Sequence, residues 1–117
     1  MEKTISQLVE EKKYSDIRKL LIDMQAYDIA ELFSNFDDEV LPTLYRILPK
    51  DLATEVFVEM SSDVQETLIS SFTNYELKWI FDEMYIDDAV DVIEEMPASV
   101  VKRILSFSSP ETRNQIN

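Results

Sequence analysis

The chain has 117 residues, 45% of them apolar and 30% charged, and its 11 basic against 24 acidic side chains leave a net charge of −13. It contains no cysteine, histidine or glycine, which excludes disulfides, thiolate and imidazole chemistry, zinc or haem ligation, phosphate loops and dinucleotide fingerprints. The carboxylate surplus argues against nucleic acid and anionic lipid as partners and leaves hard cations such as magnesium, calcium or manganese as the accessible metal chemistry.

The length suits one domain over residues 1–117 with a continuous core. Its start, Met1 to Lys13, has neither a basic region nor an apolar stretch of the secretory kind. No apolar run approaches the roughly 20 residues that cross a bilayer. The segment is expected to be soluble and cytosolic, with no insertion into the membrane.

Taken in chain order, apolar residues recur at i, i+3, i+4 and i+7, the pattern of one helix face, and the pattern repeats every twelve residues. Ile5, Leu8 and Val9 open the series, with Lys12 in the last slot. Ile17, Leu20, Leu21 and Met24 follow, then Ile29, Leu32, Phe33 and Phe36, then Leu41, Leu44, Tyr45 and Leu48. Ala53, Val56, Phe57 and Met60 form the next unit, followed by Gln65, Leu68, Ile69 and Phe72. Leu77, Ile80, Phe81 and Met84 precede Ala89, Val92, Ile93 and Met96. Val101, Ile104 and Leu105 close the series, with Ser108 in the last slot.

Four-residue connectors separate the units: 49–52, 61–64, 73–76, 97–100 and 109–112. Each supplies a capping residue, a proline or both. Carboxylates are expected in first turns, at Asp38, Glu39, Asp51, Asp63, Glu76, Asp87, Asp88 and Glu111, where the helix dipole favours them. Helices of eight or nine residues are about 13 Å long and unstable alone, so neighbours must support them. The expected fold is all-α, a solenoid-like superhelical stack of short antiparallel helices with about 12 residues per unit and either hand. Lys3, Lys12, Lys13, Arg18 and Lys19 mark a solvated capping end, and residues 109–117 read as the start of a final helix.

The segments Asp28-Ile29-Ala30-Glu31-Leu32-Phe33, Leu48-Pro49-Lys50-Asp51-Leu52-Ala53-Thr54-Glu55-Val56 and Asp87-Asp88-Ala89-Val90-Asp91-Val92-Ile93 resemble the N domain of the MgtE family of magnesium transporters and channels, over the span from about Ile17 to the end. The resemblance implies a regulatory domain that senses Mg2+ and gates a channel by closing against a neighbouring CBS domain of the same protein. It also implies a CBS pair and a transmembrane part downstream, a homodimeric full-length protein and a place on the cytoplasmic side of the cell membrane. By the same resemblance Asp87 and Asp91 are metal ligands, with Glu55 and Asp88 as further ones.

Asp87 and Asp91 stand one helical turn apart on one face, a spacing that suits an ion held by one or two carboxylates and its own waters. First-turn placement explains Asp87 and Asp88 without any metal, and Asp88 could equally cap its helix. No enzyme is expected, because pairs such as Glu94–Glu95 and Asp37–Asp38 lie in polar stretches and not in a dry pocket. Met24, Met60, Met84 and Met96 read as core. Tyr75 and Trp79 suit either a partner surface or packing against an adjacent helix, and Arg18–Lys19 and Lys102–Arg103 read as solvated faces. The rival reading is an armadillo-like protein-interaction scaffold with no metal dependence.

Overall fold

The computed structural model describes residues 2–107, with side chains from residue 5 onward. The Lys3 side chain, the Ser108 slot, the 109–112 connector with Glu111 and the expected final helix over 109–117 lie outside the described residues. Those described are all helical, in nine helices: α1 Glu2–Glu10, α2 Tyr14–Leu21, α3 Ala26–Phe33, α4 Leu41–Ile47, α5 Lys50–Glu59, α6 Ser62–Ser71, α7 Asn74–Glu83, α8 Ile86–Glu94 and α9 Ala98–Phe107. They fall into two compact units, Met1–Met60 and Ser61–Asn117.

The twelve-residue pattern is the core. Among the described residues every buried one except Ala30 occupies a template slot, and Gln65 is buried in its slot like the apolar residues around it. Met60, Met84 and Met96 are buried and Met24 is half-buried, as gap-filling thioethers are. Among the described residues no buried side-chain nitrogen or oxygen lacks a hydrogen-bond partner.

In unit 1, α1 packs on α2, α2 on α4 and α3 on α5. Contacts between next-but-one helices give these short elements the lateral support that their length denies them. Phe33 on α3 and Phe57 on α5 are fully buried. Tyr45 turns its ring edge-on to Phe57 at 6.3 Å between centroids, and its buried hydroxyl donates to the Ala53 carbonyl at 2.7 Å. In unit 2, α7 packs on α9, and Phe81 of α7 is buried at the repeat position of Phe33 and Phe57.

The connectors are shorter than expected. Lys50–Leu52, Ser62–Val64 and Asn74–Glu76 already belong to helices, and two residues suffice at Leu48–Pro49, Met60–Ser61, Phe72–Thr73 and Met84–Tyr85. In each pair both residues are extended, with φ from −58° to −75° and ψ from 141° to 164°. The last template slot is therefore the first extended residue after a helix, and it is buried all the same. These joints need no positive φ, so the absence of glycine costs them nothing.

Caps follow the sequence at two joints. Ser61 Oγ accepts from the Val64 amide at 3.4 Å. Thr73 and Glu76 form a reciprocal box, Thr73 Oγ1 accepting from the Glu76 amide at 3.1 Å and Glu76 Oε1 from the Thr73 amide at 2.9 Å. Asp51, Asp63, Glu76, Asp87 and Asp88 do occupy first turns. Asp38 and Glu39 do not, because α4 begins only at Leu41 with Pro42 in its first turn. A proline lacks the amide that a helix interior needs, so it holds the helix start next to itself.

Lys12 alone among the described residues has positive φ, 57°. The Lys12 amide donates to Val9 O at 3.0 Å and the Lys13 amide to Leu8 O at 2.9 Å, the crossed pair of bonds that closes a helix through a left-handed residue. A lysine there bears the Cβ penalty that glycine escapes. Lys12→Gly is expected to stabilise unit 1 by about 0.5–1 kcal/mol, seen as a higher urea midpoint with an unchanged slope.

Candidate functional site

The residues Ile86-Asp87-Asp88-Ala89-Val90-Asp91-Val92-Ile93-Glu94 form α8, whose N-cap is Tyr85. Ala89 and Val92 turn inward and are buried, which pushes Asp87 and Asp91 to the outside. Both are exposed, one turn apart, and neither side chain makes a hydrogen bond or ion pair among the described residues. Glu94 extends the stripe by another turn and is exposed too. Its place follows from the i+7 spacing to Asp87. The helix carries no basic residue.

Asp88 is half-buried in the first turn and does not cap the helix. The extended Tyr85 occupies the capping position, with no side-chain cap bond. First-turn amides and the helix dipole favour a carboxylate at Asp88 without any such bond. Glu55 is exposed on α5 in unit 1, at the repeat position that Asp91 occupies on α8 in unit 2.

Among the described residues no three carboxylates gather into a group that could hold a metal ion. What α8 offers is a pair of outward carboxylates, a donor set for a hard cation that keeps most of its own waters.

Arg103 departs from the solvated face expected of Lys102–Arg103. It is half-buried, and its guanidinium donates to Ile69 O and Phe72 O at 2.7 Å each and to Asn74 Oδ1 at 3.3 Å. A cation thus closes the carbonyl end of α6, where the helix dipole is negative. Lys102 and the pair Arg18–Lys19 are exposed as expected. No helix among the described residues is long and apolar enough to cross a membrane.

Among solved structures, the chain is similar to the cytosolic domain of the Mg2+ channel MgtE in complex with ATP, with a TM-score of 0.82 and 22% identity over 99% of this chain and 48% of that one. It is also similar to the soluble part of a magnesium transporter, with a TM-score of 0.82 and 19% identity over 98% of this chain and 46% of the other. The chain spans about half the length of each. At these identities the likeness establishes the all-helical fold. No curated protein sequence matches. The family model of the MgtE intracellular N domain matches residues 24–117, most of the chain. The chain belongs to the MgtE intracellular N domain family.

Proposed function

We propose that this chain is the magnesium-sensing regulatory domain of a magnesium channel or transporter, on the cytoplasmic side of the cell membrane, and that it closes against a CBS domain of the same protein. The observation that carries this reading is the family match over residues 24–117. The two similar structures, a magnesium channel's cytosolic domain and a magnesium transporter's soluble part, are each about twice as long. Their length supports residues 1–117 as part of a larger protein; a CBS pair and a transmembrane part downstream and a homodimeric whole are proposed with it. The reading assigns no catalysis.

The mechanism is electrostatic. Asp87 and Asp91 are like charges one turn apart, a pairing that costs an exposed helix about 0.2–0.5 kcal/mol, and an opposing acidic surface adds to that repulsion. Hydrated Mg2+ supplies the countercharge that lets two such surfaces meet, with Asp88 as an additional oxygen donor on α8 and Glu55 as a donor of its own on α5. Each site is weak, so the response comes from the difference in affinity between open and closed arrangements.

In the chain extended through its downstream CBS region, Mg2+ is expected to cause compaction, measurable by small-angle scattering or protease protection. Asp87→Asn with Asp91→Asn is expected to flatten the Mg2+ dependence of that compaction, because it removes both the repulsion that holds the surfaces apart and the oxygens that hold the ion. An unchanged response in the double variant would remove these two residues from the role. A wild-type chain indifferent to both Mg2+ and chelator would favour a metal-independent scaffold.

A further inference from the structure

Tyrosine, tryptophan and arginine carry a disproportionate share of the energy at protein interfaces, and unit 2 gathers one of each on a single face. Tyr75, Lys78, Trp79 and Asp82 follow at i, i+3, i+4 and i+7 along α7, so they form one stripe. One helix pair later, α9 carries Ser99, Lys102, Arg103 and Ser106 at the same positions, and α7 packs directly on α9. The bond from Arg103 to Asn74 joins the two stripes beside Tyr75. Tyr75 is 73% exposed, Lys78, Ser99, Lys102 and Ser106 are exposed, and Trp79 and Arg103 are half-buried.

The charges on this face are distributed unlike those elsewhere in the chain. Lys78, Lys102 and Arg103 are the basic residues of the described part of unit 2, and all three lie here. The neighbouring carboxylates of α7 are engaged: Glu76 in the capping box and Asp82 with Lys78 at 2.6 Å. Glu83, exposed at the last position of α7, is the carboxylate of that helix without a partner among the described residues. The helix α9 has no carboxylate. Arg103 is held by neutral oxygens at the end of α6, with no carboxylate among them, and Lys102 beside it has no carboxylate partner among the described residues. In a chain of net charge −13, two adjacent cations without a counterion, set against an indole and a phenol, are complementary to an anion with apolar flesh.

We infer that the α7–α9 face docks an acidic amphipathic helix of a protein partner, with apolar side chains over Tyr75 and Trp79 and carboxylates over Lys102 and Arg103. This is the helix-on-surface mode of recognition, with aromatic anchors for affinity and the cations for orientation. Screening confines the repulsion of the chain's remaining carboxylates to their own surroundings. The face shares no residue with the α8 stripe.

Trp79 is the single tryptophan of the chain, so its emission reports this face directly. The 117-residue chain is titrated with a synthetic helix of repeating leucine and glutamate, with a leucine–lysine counterpart, and with vesicles of anionic phospholipid. The glutamate peptide is expected to give a saturable blue shift, weakened by added salt and about tenfold weaker after Lys102→Glu, an exposed change that leaves the helical circular dichroism intact. No shift with the glutamate peptide, an equal shift with the lysine peptide, or indifference to Lys102→Glu would each overturn the assignment. A shift with vesicles in place of the peptide would overturn it in favour of a lipid surface.

Discussion

Phe57→Ala is expected to destabilise unit 1 by about 3–5 kcal/mol, the range for removing a fully buried aromatic ring. Phe57 has no exposed surface, and its ring is met edge-on by Tyr45, whose hydroxyl is tied to the Ala53 carbonyl. Truncation removes the apolar transfer energy, opens a cavity and leaves Tyr45 without the ring it leans on. Small domains are stable by only about 5–15 kcal/mol, so the variant sits near the edge of folding. Urea denaturation followed by helical circular dichroism would show a large drop in midpoint. Phe57→Leu, which keeps much of the volume, is expected to recover more than half of the loss. Equal losses for the two variants would mean that the volume at this position is not what matters.

Arg103→Ala is the second large effect, expected at about 2–3 kcal/mol, because hydrogen bonds from a charged donor are the strong ones and this guanidinium makes three of them. Ile69 and Phe72 are both buried, and their carbonyls lose a donor at 2.7 Å each. The indole of Trp79 lies in the same unit, so its emission can follow the unfolding. Arg103→Lys should recover only part of the loss, since an ammonium cannot reproduce the fork that reaches two carbonyls and an amide. Faster amide exchange across Ile69 to Asn74 in the alanine variant would locate the damage at the end of α6. Full recovery by lysine would show that charge alone matters there.

The core was legible in the sequence because its signal is periodic. Repeats of i, i+3, i+4 and i+7 can be counted, and burial follows them almost residue for residue. Gln65 shows how strong the frame is: its slot predicted burial although its chemistry argued against it. What escaped was whatever depends on partners far along the chain. Arg103 lies 34 residues from Ile69, and nothing in Lys102–Arg103 taken alone distinguishes a helix-closing guanidinium from a solvated one. The bond from Tyr45 to Ala53 escaped for a similar reason, since an i+8 reach across a helix end is set by packing.

The α8 carboxylates were legible in a different sense. Their outward direction follows from the inward one of Ala89 and Val92, one turn of geometry that the spacing contains. The lengths of the connectors were misjudged because the template treats its fourth slot as helical. In the structure that slot is an extended residue at Leu48, Met60, Phe72 and Met84.

Those four joints have a consequence for how such a chain can change in length. Each hands the backbone from one rod to the next with the same pair of torsions and a residue plugged into the interior. Adding or dropping a single amino acid would swing every later rod about 100° around its own axis and turn its greasy side to water. Growth and shrinkage of this architecture are therefore quantised: a whole dozen at a time, or a matched two dozen where rods lean on their next-but-one companions, with smaller edits confined to the looser stretch between Phe33 and Leu41.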